Sequence, residues 1–473
     1  MARDYWPRPL LHFAPPQGFM NDPNGLVYHR GRYHLFYQHN PYAPVWGHMS
    51  WGHAVGPSLL DWEDRPVALP EQPDHMIFSG SAVVDQTSTA GFGADALIAV
   101  YTAHYRDDRE AQCLAYSPDG GERWTFYEGN PVLVDPERPH VRDPQVFRYE
   151  PDGYWVMAVA LADDRQVAFY ASDDLKRWEL LSTFGPAGCW QEAPHWECPV
   201  LLELPVEGTH RTHWLLKVDV DGGAPTGGSG AQYFTGHFDG VRFVPDDPPE
   251  TVRWVESGPD FYAAQAFNHM PDGRRVWLGW MNNWRYANAL PTHPWRGMLT
   301  IPRELSMVEV DGRHHLVQRP CRECYARMRP VEAPPIGRSF PLPEAGLLRL
   351  RMRTDSAWHV RFFTGTTPGV IVGYDAETRR LFLDRRAAGR TDFSPDFPAR
   401  FAALLPPDAP EELDLEILFD RYSLEVFAPQ ARLVLSALVF PAPGDRAAVI
   451  QDEGESIREV QLSDYAVASA SAG

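Results

Sequence analysis

An all-β architecture, an N-terminal five-bladed β-propeller followed by a C-terminal β-sandwich, is what this chain of 473 residues predicts. Three observations carry that prediction. Phe, Trp and Tyr make up 12% of the residues and proline is frequent at 45, while long runs of helical periodicity are lacking, a combination that favours strands and turns. A turn-then-tryptophan segment recurs through the first half of the chain, and the last third alternates apolar and polar side chains with period two.

The first element is Phe19-Met20-Asn21-Asp22-Pro23-Asn24-Gly25-Leu26. Pro23 fixes one φ and Gly25 tolerates a positive one, so the segment reads as a turn that holds the Asp22 carboxylate beside the apolar strand Val27 to Tyr37. The repeat follows. Pro57 to Glu63, Ser117 to Trp124 and Ser172 to Glu179 each read as a polar hairpin turn leading into a strand that opens with Trp62, Trp124 or Trp178, and Phe238 to Phe243 is a weaker copy. The aromatics are 62, 54 and 65 residues apart, about one four-stranded blade each, and roughly five blades fit.

Three acids fall at equivalent places in this repeat. Asp22 lies 40 residues before Trp62, Asp143 lies 35 before Trp178, and Glu197 lies 46 before Phe243. In a propeller whose blades begin at the axis, these positions converge on one funnel. The second blade offers Phe78-Ser79-Gly80-Ser81 at that place and the fifth offers Asp260-Phe261-Tyr262-Ala263, both expected in the pocket wall.

After Glu304 the character changes. Residues 1–316 are assigned to the propeller, the proline-punctuated 317–337 to a linker with a short helix, and 338–473 to the sandwich. The sandwich strands include Leu347 to Arg353, Trp358 to Phe363, Leu413 to Phe419 and Ser423 to Phe427. Trp358, Phe362 and Phe363 are expected in its core, and the tail from Val467 is expected to be disordered. The sandwich would cover the propeller or join subunits of a homo-oligomer.

Composition narrows the partner. A formal charge of −20 disfavours nucleic acid and anionic membranes, which call for a positive field, and leaves a neutral small molecule as the expected substrate. The five cysteines form no disulfide framework, and the start, Met1 to Pro7, has no apolar stretch of signal-peptide length, so a cytoplasmic location is expected. Cys321 and Cys324 have no second ligand pair nearby, and zinc takes four, so no metal and no organic cofactor is expected.

Two carboxylates facing across a sugar bond, one ionised and one protonated, are the equipment of glycoside hydrolysis. Asp22, with Asn21 and Asn24 beside it and turn amides at hand, is expected to be ionised and to attack. Glu197, within His195 to Leu202, is expected in apolar surroundings that keep it protonated and ready to donate to the leaving oxygen.

Asn21 to Gly25, Phe78 to Ser81, Arg142-Asp143-Pro144 and Trp196-Glu197-Cys198-Pro199 resemble, in order and spacing, the signatures of glycoside hydrolase family 32, the invertases, levanases and exo-inulinases. Trp46 to His53 and Trp280 to Trp284 extend the resemblance, and Asp420 to Phe427 is similar to the family's sandwich motif. The resemblance implies a retaining β-fructofuranosidase acting on the terminal fructosyl unit of sucrose, fructo-oligosaccharides or fructans. Asp22 would be the nucleophile, Glu197 the acid/base and Asp143 the transition-state stabiliser. Asn21, Gln38, Trp46, Phe78, Ser79, Arg142 and Trp280 would shape the pocket, with Pro144 letting neighbouring Arg142 and Asp143 reach one funnel. Retention calls for Asp22 and Glu197 carboxyls about 5 to 5.5 Å apart. The rivals are a fructosyltransferase sharing the intermediate, and a non-catalytic carbohydrate-binding protein.

Overall fold

The computed structural model describes residues 5–452 and 454–467; the tail beyond Val467, for which disorder is expected, lies outside them. Five antiparallel sheets form the propeller. Their innermost strands are Gly18–His29, His75–Asp85, Val141–Tyr149, Trp196–Pro205 and Tyr262–Ala266, and blade 1 and blade 5 meet to close the ring. Trp295–Arg296 adds a parallel strand to the edge of blade 1, pairing Gly18 with Trp295 and Phe19 with Arg296.

The tryptophan repeat marks the outer edges of the blades. Trp62, Trp124 and Trp178 immediately precede the outermost strands of blades 1, 2 and 3, and Phe243 opens that of blade 4. The local chemistry explains the pattern. Asp174 Oδ1 accepts the backbone N–H groups of Lys176 and Arg177 at 2.9 Å, closing the turn, and Trp178 Nε1 donates to Leu175 O at 3.0 Å. Blade 1 repeats the second device, with Trp62 Nε1 donating to Leu59 O at 3.1 Å.

Alternating side chains pack each blade on the next. Val27, Phe36 and Trp51 of blade 1 meet Ala82 and Leu97 of blade 2, Val83 and Val100 meet Trp155 and Met157 of blade 3, and Val156 and Phe169 meet Trp196 and Leu216 of blade 4. Leu215 and Tyr233 then meet Phe261 and Trp277 of blade 5, and Leu278 returns to Leu35. Gly25, at φ +53°, sits where a Cβ would lie 2.8 Å from the Phe36 ring and 3.0 Å from Trp51, so glycine lets the first strand press on this core.

The domain boundaries differ from the expected ones. The last propeller strand, Arg313–Pro320, pairs along its whole length with Arg303–Val310, so blade 5 runs past residue 316. Met328–Pro330 already pairs with Ile457–Tyr465 of the sandwich, which leaves Cys321 to Arg327, containing the helix Arg322–Ala326, as the connection. Prolines 320 and 330 mark strand ends, where a missing N–H is tolerated. Cys321 and Cys324 are buried with their sulfurs 3.7 Å apart. The sandwich has two six-stranded sheets, and Trp358, Phe362 and Phe363 lie in its core.

A buried ionic network joins the domains. His12 Nδ1 lies 3.0 Å from Asp420 and its Nε2 lies 2.8 Å from Glu425. Arg303 spans Glu256 at 2.9 Å, Glu425 at 2.5 Å and Ser436 Oγ at 2.6 Å. Arg385 of the sandwich reaches Asp260 of blade 5 at 2.5 Å and the Tyr286 hydroxyl at 2.8 Å. The sandwich therefore holds the propeller in register through Asp420 and Glu425, the two acids of the motif Asp420 to Phe427.

Candidate active site

Every innermost strand breaks its ladder where a candidate residue sits. The register slips between Met20 and Pro23, between Ile77 and Gly80, between Arg142 and Gln145, between Glu197 and Val200, and between Tyr262 and Gln265. Two of these bulges contain a proline, Pro144 or Pro199, and a third ends at Pro23, and proline has no N–H to give the ladder. Asp143, Cys198 and Ala263 adopt left-handed φ values of +64°, +48° and +54°. A bulge breaks the two-residue alternation, and this is how sequence neighbours Arg142 and Asp143 both reach one cavity.

That cavity, about 310 Å³, is walled by all five blades: Asn21, Asp22, Gln38 and Trp46 from blade 1, Phe78 and Ser79 from blade 2, Arg142 and Asp143 from blade 3, Glu197 and Asp221 from blade 4, and Tyr262 and Trp284 from blade 5. Asp22 and Asp143 are buried, while Glu197 is half-buried and stands nearer the mouth. Asp22 accepts Ser79 Oγ at 2.5 Å and Asn21 Nδ2 at 2.9 Å. Asp143 accepts the Cys198 N–H at 2.8 Å, and the Cys198 thiol lies 3.4 Å from Asp143 and 3.7 Å from Asp22.

Arg142 is fixed from behind by the buried Glu110, its Nε donating at 3.0 Å and its Nη2 lying 2.9 Å away, which leaves Nη1 to hold Glu197 Oε1 at 2.9 Å. Tyr262 donates its hydroxyl to the other Glu197 oxygen. Trp46 is the exposed aromatic of the rim, 41% open, edge-on to Phe78, which itself stacks on His104 with centroids 4.4 Å apart. Gln38 donates to Ile77 O at 3.0 Å, and Asp221 pairs with His195 at 2.8 Å.

The electrostatics differ from the expectation. Burial is the main influence on Asp22 and raises its carboxyl to about 6; the Glu197 charge adds to the rise, while Ser79 and Asn21 oppose it. Among the described residues no turn amide holds the charge; a hydroxyl, a side-chain amide and a thiol do. Glu197, expected among apolar groups, instead meets a guanidinium and a phenol. Asp143 is pushed well above the usual carboxylate range, by burial first and then by Glu197 and Asp22. Three acids crowding one enclosed site cannot all ionise at ordinary cost.

Of the expected wall residues, Gly80, Ser81, Asp260, Phe261, Ala263 and Trp280 do not line the cavity. Trp280 ends the strand Val276–Trp280 and is fully buried, packed against Phe19, Tyr262 and Trp284, so it backs the wall while Trp284 forms it. Asp260 turns away to Arg385 and Leu438 N–H. Glu110 and Asp221, adjacent to no motif, gave no sequence signal; Tyr262 did, through its place in the fifth blade.

The model of the glycosyl hydrolases family 32 N-terminal domain matches residues 12–320, and that of the family's C-terminal domain matches residues 347–468. The chain belongs to glycoside hydrolase family 32. Among family relatives, it is 41% identical over 458 residues to the levanase of Bacillus subtilis (strain 168), covering 92% of this chain and 66% of that protein, slightly less than two thirds of its length. It is 36% identical over 512 residues to the extracellular exo-inulinase of Aspergillus awamori, covering 98% and 95%. The crystal structure of the exo-inulinase from Aspergillus awamori superposes with a TM-score of 0.90 at 35% identity, over 98% of each chain. The β-fructofuranosidase of Schwanniomyces occidentalis, complexed with fructosyl-erythritol, superposes with a TM-score of 0.87 at 28% identity, over 97% of each. The protein is thus a family 32 glycoside hydrolase, with the propeller and sandwich of these neighbours.

Proposed function

We propose that this chain is a retaining exo-β-fructosidase that removes terminal non-reducing β-D-fructosyl units from sucrose, fructo-oligosaccharides or fructans. The observation that carries this reading is the convergence of Asp22, Asp143 and Glu197 on one cavity to which all five blades contribute. A hole walled on every side admits a chain end and stops a chain from passing through. Support also comes from the relatives, named as levanase and exo-inulinase.

The depth order supports the following roles. Asp22, deep in the cavity, attacks the anomeric carbon of the fructosyl unit. Glu197, nearer the mouth where the leaving group exits, protonates the departing oxygen, then deprotonates the water that hydrolyses the covalent intermediate. Arg142 and Tyr262 hold both Glu197 oxygens and aim its proton. Asp143 sits where positive charge develops on the sugar ring, an interaction stronger in the transition state than in the ground state. Trp46 and Phe78 offer apolar faces to the sugar.

The test is incubation with sucrose, inulin and levan, with chromatography of products and proton NMR of the first fructose released. Free fructose, with equimolar glucose from sucrose and a chain one unit shorter from inulin or levan, is expected as the early product, the fructose released first as the β-anomer. Longer or cyclic fructosides would reassign the protein to transfer, α-anomer release would defeat retention, and binding without turnover would make it a carbohydrate-binding protein.

A further inference from the structure

This chain carries 43 lysines and arginines, and only two are lysines, Lys176 and Lys217. Lys176 lies over the rings of Phe92 and Tyr127. Lys217 is fully buried beneath the catalytic cavity, in the strand Thr212–Val220 of blade 4. A protein that uses arginine almost everywhere has placed a lysine, wholly enclosed, next to its acids.

The contacts of Lys217 explain the choice. Its strand pairs Val200 with Lys217 and Glu197 with Asp219, and between these pairs Cys198 and Pro199 bulge out of the ladder. The Cys198 carbonyl there accepts Lys217 Nζ at 2.8 Å, and the same Nζ reaches Asp219 Oδ2 at 2.6 Å. Lys217 and Asp219, two apart on a strand, share a face. Cys198 carries the left-handed φ of +48°, gives its N–H to Asp143 and rests its thiol on Asp22 and Asp143, and Glu197 precedes it. One ammonium thus pins the carbonyl of the residue that links all three acids. An ammonium is a compact point donor able to serve a carbonyl and a carboxylate at once, whereas the longer planar guanidinium needs a fork of acceptors and more room.

Resting on the hydrolase reading above, we propose that Lys217 is a positioning residue that holds the Glu197–Cys198 bulge in its catalytic geometry through the Cys198 carbonyl, with Asp219 orienting the ammonium. Asp219 is enclosed like its partner, and its Oδ1 accepts no hydrogen bond from the described residues. Burial raises its carboxyl to about 7 against the pull of Lys217, with Asp22 and Glu197 adding to the rise. Neither residue lines the cavity, so neither is a binding contact for sugar.

Lys217→Met fills similar space without the donor. It is expected to lower kcat on sucrose about 10²-fold, the scale of a small misplacement of catalytic groups, while KM changes less than about threefold. The crystal structure of the variant is expected to show Cys198 outside the left-handed region. Lys217→Arg is expected not to restore kcat. Unchanged kcat in folded Lys217→Met, or an unchanged Cys198 conformation, overturns the inference. Should that variant not fold, Asp219→Asn decides: its amide oxygen still accepts from Nζ, so it is expected to cost less than about tenfold in kcat and to keep the bulge. A loss of about 10²-fold there, with the bulge intact, would assign the effect to the Asp219 charge and sink the role given to Lys217. If the unaltered protein splits no fructoside, the hydrolase reading fails instead, and the crystal structure of Lys217→Met still tests the bulge.

Discussion

Ser79 of blade 2 donates its hydroxyl to Asp22 of blade 1 at 2.5 Å, a hydrogen bond that crosses a blade boundary and favours the charged form of the carboxylate. Burial works against that charge and raises Asp22 to about 6. Because the nucleophile must be ionised, the acid limb of kcat/KM is expected to report Asp22 in the free enzyme. Ser79→Ala removes a stabiliser of the anion and is expected to move this limb to higher pH, leaving the plateau less affected. An unmoved limb would detach the acid limb from Asp22.

Asp22→Asn is expected to lower kcat about 10⁴-fold or more, as loss of a nucleophile does. It is also expected to stabilise the fold. The folded carboxyl, at about 6, binds its proton more tightly than the ordinary value of 3.8, so its contribution to stability is present at low pH and lost as pH rises through 6. At pH 7 the ionised acid costs on the order of 3 kcal/mol. Thermal melting is expected to show Asp22→Asn more stable than the unaltered protein at pH 7, with the gap closing near pH 4.

Asp143→Asn is expected to reduce kcat about 10²- to 10³-fold while raising KM far less, since the acid stabilises positive charge that develops only in the transition state. Steady-state kinetics on sucrose separate the two parameters. A rise in KM with kcat intact would reduce Asp143 to a binding contact.

The domain junction has its own pH signature. Burial alone would lower the His12 ring, but its hydrogen bonds to Asp420 and Glu425 and their charges outweigh it and raise His12 to about 9. A raised folded value means stability that is complete below the ordinary 6.5 and lost as pH rises through 9. This term is on the order of 3 kcal/mol for so buried a group. Melting temperature is expected to fall between pH 6.5 and 9, and His12→Asn to flatten that fall. Glu425→Ala takes one of two acids from both His12 and Arg303, leaving Asp420 and Glu256 to face them, and is expected to cost about 3 to 5 kcal/mol at neutral pH.

The two tryptophans assigned to the pocket by motif are expected to behave differently. Trp46→Ala, at the exposed rim, is expected to raise KM several-fold, about 1 kcal/mol of lost ring contact, with the melting temperature unchanged. Trp280→Ala opens a cavity behind the wall and is expected to cost about 3 to 5 kcal/mol of stability. Equal effects on melting would contradict the placement of Trp280.

The motifs Asn21-Asp22-Pro23, Arg142-Asp143-Pro144 and Glu197-Cys198-Pro199 were legible because each joins an acid to a proline that disrupts a strand ladder, and the tryptophan spacing showed that each of the three opens a blade of its own. Trp280 and Trp284 were not separable in this way. Both stand in one Gly-free, Asn-rich stretch, and which ring faces the cavity depends on where the strand Val276–Trp280 ends and how the following turn swings. Nor could the surroundings of Glu197 be read from its apolar neighbours in the chain, because its partners come from blades 3 and 5.

By itself, the order of residues determined the β architecture, the blade count and the identity of the three acids, since turns, prolines and alternation act over a few residues. Only the tertiary structure decided the raised carboxyls of Asp22 and Asp143, the depth order of Asp22 and Glu197, the anchoring of Arg142 by Glu110 and the lysine beneath the site. Those properties depend on burial and on through-space partners tens to hundreds of residues apart, and neither quantity exists until the blades have closed.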